Sequence, residues 1–348
     1  MTEFKGKHDT CEQPLISRAK AVRDFTAING NCEGIMKKVL LIAGGGTLGT
    51  YTSEELLRLG HSVDIICLED KVSDNERLRF FKAEVSLEYL KELFKENRYD
   101  GIVNFIHYNN YEDYIPYHEL LSQNTDHLIF LSSYRVYADL EHPITENAPQ
   151  LIDVFKDDQA FMNGDKYGLS KSKAERYLKD NPYPKNWTVV RPVISFSDRR
   201  LDIIMTGDNA VVNAAKSGEI MKLPLEAKNL TAGLDWAGNS GKLIANLLFK
   251  KECIGEAYTV SSAQNLKWSE VADIYTELLG VKFEWAPADF PEYVWQWTYD
   301  RAFDRAIDNS KILAATGLKP SDFLSIREGI IIELKKLGEI DENNERTF

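Results

Sequence analysis

The sequence predicts an α/β protein built on a doubly wound parallel sheet, followed by a smaller mixed α/β C-terminal domain. Three observations lead there: a length of 348 residues, short apolar runs that alternate with helical patterns in the first half, and a glycine-rich turn directly after the first apolar run. Short buried runs separated by helices imply parallel strands, because each crossover must return the chain to the same edge direction. At about 100 to 200 residues per domain, the chain has room for about two cores.

The elements follow in order. Val39-Leu40-Leu41-Ile42-Ala43 is a continuous apolar run ending in Gly44-Gly45-Gly46, and Leu48 to Leu59 reads as a helix. Val63 to Leu68 and Leu78 to Val85 are the next strands, and Leu87, Leu90, Leu93 and Phe94 mark one face of a helix from Leu87 to Asn97. Gly101 to Ile106 and His127 to Leu131 extend the sheet. Later come a helix at Tyr167 to Leu178, a strand at Trp187 to Arg191, and helices near Asn209 to Lys216 and Asp235 to Phe249. A strand at Ala257 to Val260 and helices at Trp268 to Leu279 and Ser321 to Leu337 complete the pattern. One further strand is expected to join the sheet from just before Asp235.

This divides the chain into an N-terminal extension (1–35), a dinucleotide-binding domain (36–192, with about 228–250 returning to it) and a discontinuous, mainly substrate-binding domain (193–348). In the extension, Leu15, Ile16, Ala19, Val22 and Phe25 approximate helical spacing; a docked amphipathic helix and a poorly ordered leader are both open readings.

Composition excludes several classes. With 43% apolar and 28% charged residues, 21 Gly and 11 Pro, the chain is neither collagen-like nor disordered. Its 42 basic and 54 acidic residues give 42 − 54 = −12 at pH 7, a surface without the general attraction that nucleic-acid backbones require. Cys11, Cys32, Cys67 and Cys253 are scattered, with no CxxC pair, so no metal site or disulfide framework is expected and the cytoplasm is the expected compartment. No run approaches the roughly 18 apolar residues of a membrane span, and the first 35 residues lack a signal-peptide core.

The chemistry begins at Gly44-Gly45-Gly46-Thr47-Leu48-Gly49, a G-x-G-x-x-G pattern between a strand and a helix. Small residues let the backbone approach a pyrophosphate, whose charge then faces the free N–H groups of the helix start. A dinucleotide (Rossmann) site is therefore expected. The ribose-reading carboxylate belongs about 20 residues on, where Cys67 stands, so Glu69 or Asp70 must substitute, the alternative being an ordinary solvated strand end. Lys71, beyond two acids, reads as a solvated side chain, and Glu84 offers an acceptor for an adenine amino group. Without a cation for a 2′-phosphate, NAD is expected over NADP.

Tyr167 and Lys171 lie four residues apart, on one face of a helix. A neighbouring ammonium favours phenolate, so this pair suits proton exchange with a substrate hydroxyl. His107 follows the fourth strand, either lining the nicotinamide pocket or serving as a structural histidine. Arg199 and Arg200 suit bidentate contact with a diphosphate, or form a solvated pair. The aromatic run from Phe290 to Tyr299 fills a core or stacks on a ligand.

These motifs, with Leu131-Ser132-Ser133-Tyr134-Arg135-Val136-Tyr137 and Val189-Val190-Arg191-Pro192, resemble the extended short-chain dehydrogenases/reductases, and within them the NAD-dependent epimerase/dehydratase group. The resemblance runs from Lys37 to about Leu337. It implies that Ser133 hydrogen-bonds the reacting oxygen, that Tyr167 is the acid/base, and that Lys171 holds the nicotinamide ribose and tunes Tyr167. Motifs and resemblance together place cofactor contacts at Ala43, Gly44, Gly46, Thr47, Leu48, Gly49, Glu69, Glu84, Ile106, His107, Leu131, Tyr167, Lys171 and Pro192. Substrate contacts are placed at Ser133, Tyr134, Arg199 and Arg200.

The chain departs from the family pattern in three places. Ala43 replaces the first glycine, the N-x-x-G-T element is absent before the fifth strand, and Tyr134-Arg135 stand where dehydratases carry Asp-Glu. Dehydration lacks its acid/base pair here. The expected activity is a redox-neutral epimerisation of a hydroxylated, nucleotide-linked sugar through a transient ketone. A dehydrogenase or reductase using the same residues is the alternative, and a non-catalytic dinucleotide sensor or RNA-binding relative is a third reading. A homodimer paired through the helices around Tyr111 to Leu121 and Tyr167 to Leu178 is implied.

Overall fold

Apolar side chains on both faces of consecutive strands force a buried parallel sheet, and the computed structural model has one. It describes residues 35–181, 184–201, 203–204, 207, 209–288 and 297–347. The helical spacing in the N-terminal extension, Cys11 and Cys32 lie outside the described residues.

The strands β1 (Lys38–Ile42), β2 (Ser62–Cys67), β3 (Leu78–Lys82), β4 (Tyr99–Asn104), β5 (Thr125–Leu131) and β6 (Trp187–Pro192) alternate with helices, except that β3 follows β2 directly. After β6 come β7 (Ile194–Phe196), β8 (Ile220–Pro224), β9 (Leu234–Trp236), β10 (Ala257–Val260) and β11 (Lys282–Ala286). Seven of these form the main sheet in the order β10-β6-β5-β4-β1-β2-β3, every pair parallel. The chain winds outward from β1 through β2 to β3, then returns to β4 on the other side. That reversal opens a crevice at the carboxyl ends of β1 and β4, the place where such sheets bind ligands.

Helices cover both faces. Leu56, Leu243, Ile244 and Leu247 pack on one face with Val39, Leu41 and Val63, while Leu90, Tyr114, Leu121, Ala174 and Leu178 pack on the other with Leu40, Ile42 and Ile102. Gly241 lets helix Ala237–Leu247 approach helix Thr47–Arg58, since a Cβ there would lie 2.6 Å from the Tyr51 carbonyl carbon. A separate core forms mainly from residues after Pro192, including Phe196, Val211, Leu234, Trp268, Tyr275 and Ile330.

One expectation is corrected. The segment before Asp235 does not join the main sheet: β9 pairs with β7 in a two-stranded sheet. The reason is edge occupancy, because β10 already pairs with the free side of β6. Strands β8 and β11, unforeseen in the sequence, form another parallel pair. Among the described residues no helix is long and apolar enough to cross a membrane.

The sheet also buries a charge pair. Arg191 on β6 and Glu175 on helix Lys166–Asp180 are each 1% exposed, with Arg191 Nη2 at 2.5 Å from Glu175 Oε2. Arg191 also donates to the Tyr137 hydroxyl at 2.8 Å and the Glu146 carbonyl at 3.1 Å. Removing one partner leaves the other charged and dehydrated, so Glu175→Ala is expected to cost about 3–5 kcal/mol, read as a lowered midpoint in urea unfolding.

Candidate active site at the carboxyl edge of the sheet

The glycine turn is shaped by close contacts. Gly44 donates to the Ile66 carbonyl at 3.1 Å, and a Cβ on Gly49 would sit 2.2 Å from the Gly44 carbonyl oxygen. No side chain fits there. Gly46 caps helix Thr47–Arg58 in extended conformation, and a Cβ on it would meet nothing within 4 Å. The backbone at Gly46 can thus be approached closely while the helix N–H groups face outward. Ala43 stands at φ +55°, in the left-handed region that favours glycine, so the departure from the family pattern carries backbone strain of about 1–2 kcal/mol.

Glu69 reaches this turn and Asp70 does not. A Cβ on Gly45 would lie 2.6 Å from Glu69 Oε2, whereas Asp70 pairs with Lys82 at 3.2 Å on the surface. The Glu69 backbone amide, helped by Lys71 and Arg199, holds its carboxyl below the usual carboxylate range. Lys71 corrects the reading of a purely solvated side chain: its ammonium donates to the Gly45 carbonyl at 3.0 Å. Arg199 lies 4.0 Å from Glu69, and the Thr47 and Ser197 hydroxyls are hydrogen-bonded at 2.9 Å. Through them the segment after β7 rests on the glycine turn. Leu48 packs into the core beneath it, and Glu84 is exposed beyond β3.

The second group sits at the end of β5. Ser133 accepts from the Arg135 amide at 3.2 Å, and its side chain lies close enough to the Tyr167 phenol to favour its ionised form. Asp165 starts the helix that carries Tyr167 by accepting from the Gly168 amide at 3.0 Å. One turn on, the buried Lys171 ammonium donates to the Leu131 carbonyl at 2.6 Å and lies 5.8 Å from the Tyr167 ring centroid. Burial lowers the Lys171 pKa to about 8, against the pull of Glu175. Pro192 is buried at the end of the neighbouring β6.

Burial also raises the Tyr167 phenol, opposed by the Ser133 hydroxyl and the charges of Arg135 and Arg200, with Asp300 reinforcing the rise. His107, following β4, lies with its ring 5.0 Å from that of Tyr167; burial and Lys171 lower its pKa. The Ile106 amide donates to Asn104 at 3.1 Å.

Tyr134 is buried, and its hydroxyl donates to Asp300 at 2.7 Å while accepting from Arg301 at 2.8 Å. Its polar atom is committed to the protein. Sequence reasoning missed the group around it: Arg135 Nη2 is 2.9 Å from Asp165, and Arg135 Nε and Arg305 Nη2 are 3.5 and 3.7 Å from the buried Asp300. The helix-cap spacing Asp165-x-x-Gly168 was the available signal, but nothing local ties Asp300 to Arg135. Of the aromatic run, residues 290–296 lie outside the described residues. Trp297 packs on the core of the second lobe and the Tyr299 hydroxyl donates to Asp158 at 2.6 Å, so its described end serves packing.

No family model matches the chain. The UDP-glucose 4-epimerase of Neisseria meningitidis serogroup C is 26% identical over 183 residues, covering 44% of this chain and 51% of its own length. The chain thus spans about half the length of the curated relatives it matches. An epimerase structure from Methanothermobacter thermautotrophicus superposes with a TM-score of 0.67 at 17% identity, covering 87% of this chain and 93% of that one. The UDP-glucose 4-epimerase of Thermus thermophilus, solved with NAD, superposes with a TM-score of 0.62 at 17% identity, covering 86% and 98%. The fold is shared with these epimerases.

The close packing at Gly49 yields a direct expectation. Gly49→Ala drives the helix away from the turn and should weaken dinucleotide binding by tenfold or more, while the far ends of the strands keep their packing. Calorimetric titration with NAD, alongside a circular dichroism spectrum, measures both.

Proposed function

We propose that this chain belongs to the extended short-chain dehydrogenase/reductase family and its NAD-dependent epimerase/dehydratase group, a reading its similarity to UDP-glucose 4-epimerases supports, and that it is an NAD-dependent epimerase of a nucleotide-linked sugar. The observation that carries the reading is the convergence of Ser133, Tyr167 and Lys171 at the end of β5, on the sheet edge that also carries the glycine turn after β1. NAD fits the turn: Gly46 leaves room for a pyrophosphate at the helix start, and Glu69 supports ribose recognition. When bound, NAD⁺ supplies the hydride acceptor, and as NADH the donor.

The protein's own part is proton handling and positioning. Tyr167 takes the proton from a sugar hydroxyl as that carbon is oxidised, and returns it when the ketone is reduced from its other face. Ser133 donates a hydrogen bond to the same oxygen, keeping it in reach of the phenol. Lys171, on the same helix face, would hold the nicotinamide ribose. Arg135 occupies a dehydratase acid position with a guanidinium that does not release a proton near neutral pH, which favours epimerisation over elimination. We include in this reading a homodimer paired through helices Tyr111–Gln123 and Lys166–Asp180, for which sedimentation at micromolar concentration is the check.

Tyr167→Phe should keep NAD binding and lose turnover of UDP-glucose by about a hundredfold or more. Wild-type protein should interconvert the sugar epimers without added cofactor; stoichiometric consumption of added NADH instead identifies a reductase. Lys171 is protonated below its pKa of about 8 and neutral above it. If its ammonium contacts the ribose, NAD affinity falls as pH rises past that value in the wild type and is weaker but flat in Lys171→Ala. Calorimetry across that range reads the difference.

A further inference from the structure

A tight turn follows β7. The Ser197 amide donates to the Arg200 carbonyl at 3.0 Å and the Arg200 amide to the Ser197 carbonyl at 2.9 Å, which puts Asp198 and Arg199 at the tip of a two-residue turn. The Arg199 amide adds a bond to the Ser197 hydroxyl at 3.2 Å. From behind, the second lobe fastens this turn at two points. The Asn209 side chain donates to the Asp198 carbonyl at 2.7 Å and accepts from the Leu201 amide at 2.9 Å, and Glu333 accepts from the Asp198 amide at 2.8 Å.

In front, the turn is held against the glycine turn and the end of β2. The Ser197 and Thr47 hydroxyls are 2.9 Å apart, and Thr47 is the first residue of helix Thr47–Arg58, the helix start suited to a pyrophosphate. Arg199 Nη1 is 4.0 Å from Glu69 Oε1, the acid that reaches Gly45. One turn thus touches the groups assigned to two adjoining parts of a single dinucleotide, its pyrophosphate and its adenosine ribose. Arg199 and Glu69 are each half exposed, and so exposed a pair adds little to stability. Its placement is what matters.

We propose that Arg199 is a cofactor-binding residue and that the turn Ser197–Arg200 is a clasp closing over the adenosine half of NAD from the second lobe. The sequence alone offers Arg199 and Arg200 together to a substrate diphosphate; the geometry separates them, with Arg199 at Glu69 and the charge of Arg200 felt at Tyr167. A guanidinium beside the dinucleotide can donate to its phosphate or ribose oxygens while Glu69 steadies it. The inference rests on the redox-neutral reading and deepens it. NADH formed in the first half of such a reaction must stay bound until the ketone is reduced, and a clasp supplies that retention.

NADH fluorescence gives a test that does not need the sugar. The full chain is loaded with NADH and mixed rapidly with excess NAD⁺, and the release rate is read from the decay of the bound signal. Arg199→Ala, at a half-exposed site where truncation leaves the core intact, should release NADH faster by about tenfold or more. Arg199→Lys, which keeps the charge but not the planar fork, should fall between. In a Glu69→Gln background the Arg199→Ala change should add little, because the two side chains act as one unit. Calorimetry with UDP reads the rival assignment, and Arg199→Ala is expected to bind UDP as the wild type does. The proposal is overturned if Arg199→Ala releases NADH at the wild-type rate, if it weakens UDP binding more than it quickens release, or if the Arg199 and Glu69 effects multiply in full. Failure of the epimerase reading looks different: the release rates then change as expected while added NADH is consumed stoichiometrically during turnover.

Discussion

A parallel sheet buried on both faces leaves polar chemistry its two open ends, and the proposed site lies at the carboxyl end. Each strand of the main sheet points the same way, and on that side the ends of β1, β3 and β4 each lead through a turn into the start of a helix. Helix starts present unpaired N–H groups and the positive end of the dipole. The glycine turn after β1, Glu69 after β2, His107 after β4 and Ser133 after β5 share that edge because topology places them there. The site residues need only choose side chains.

Holding that edge in register requires elements from far along the chain. Glu333, fully buried on helix Ile326–Leu337, accepts from the Trp236 indole at 2.6 Å and the Asp198 amide at 2.8 Å, and the Tyr51 hydroxyl also bonds it. Asp198 lies between Ser197, which bonds Thr47, and Arg199, which faces Glu69. One buried carboxylate thus joins the last long helix, the first helix and the segment lying on the glycine turn. Trp236 packs so tightly that a Cβ on Gly238 or Gly329 would lie 2.3 or 2.6 Å from its ring or stem, so the indole that serves Glu333 has little freedom to turn. Buried carboxylates are costly unless satisfied; this one is satisfied by donors from several elements at once.

Legibility in the sequence follows the range of the interactions. The strands up to β6 were readable because each is a short apolar run closed by turn residues, and the glycine turn was readable because its requirements fall within six consecutive residues, Gly44 to Gly49. Tyr167 and Lys171 were readable from a single helix turn. Strands β8 and β11 were not, since β8 has only Leu223 fully buried among exposed and half-buried positions, without a continuous apolar core. Lys71 was misread because sequence shows its acidic neighbours but not the Gly45 carbonyl folded beneath it. Asp300 and Arg305 carry no local pattern at all: their meaning depends on Tyr134 and Arg135 arriving from the other lobe.

The two ends of the proposed site are consequently built on different principles. Its dinucleotide end is mostly backbone, where glycines remove Cβ atoms and amides face outward, and backbone geometry of that kind is written locally. Its reactive end is a balance of buried charge around one phenol, in which Arg135 and Arg200 oppose burial and Asp300 opposes them. A balance among groups on separate elements persists only while both lobes stay packed together. Substitutions in the second lobe that loosen the Asp300 turn therefore bear on the charge around Tyr167 without touching the glycine turn, and the turn can retain its shape while that charge balance changes.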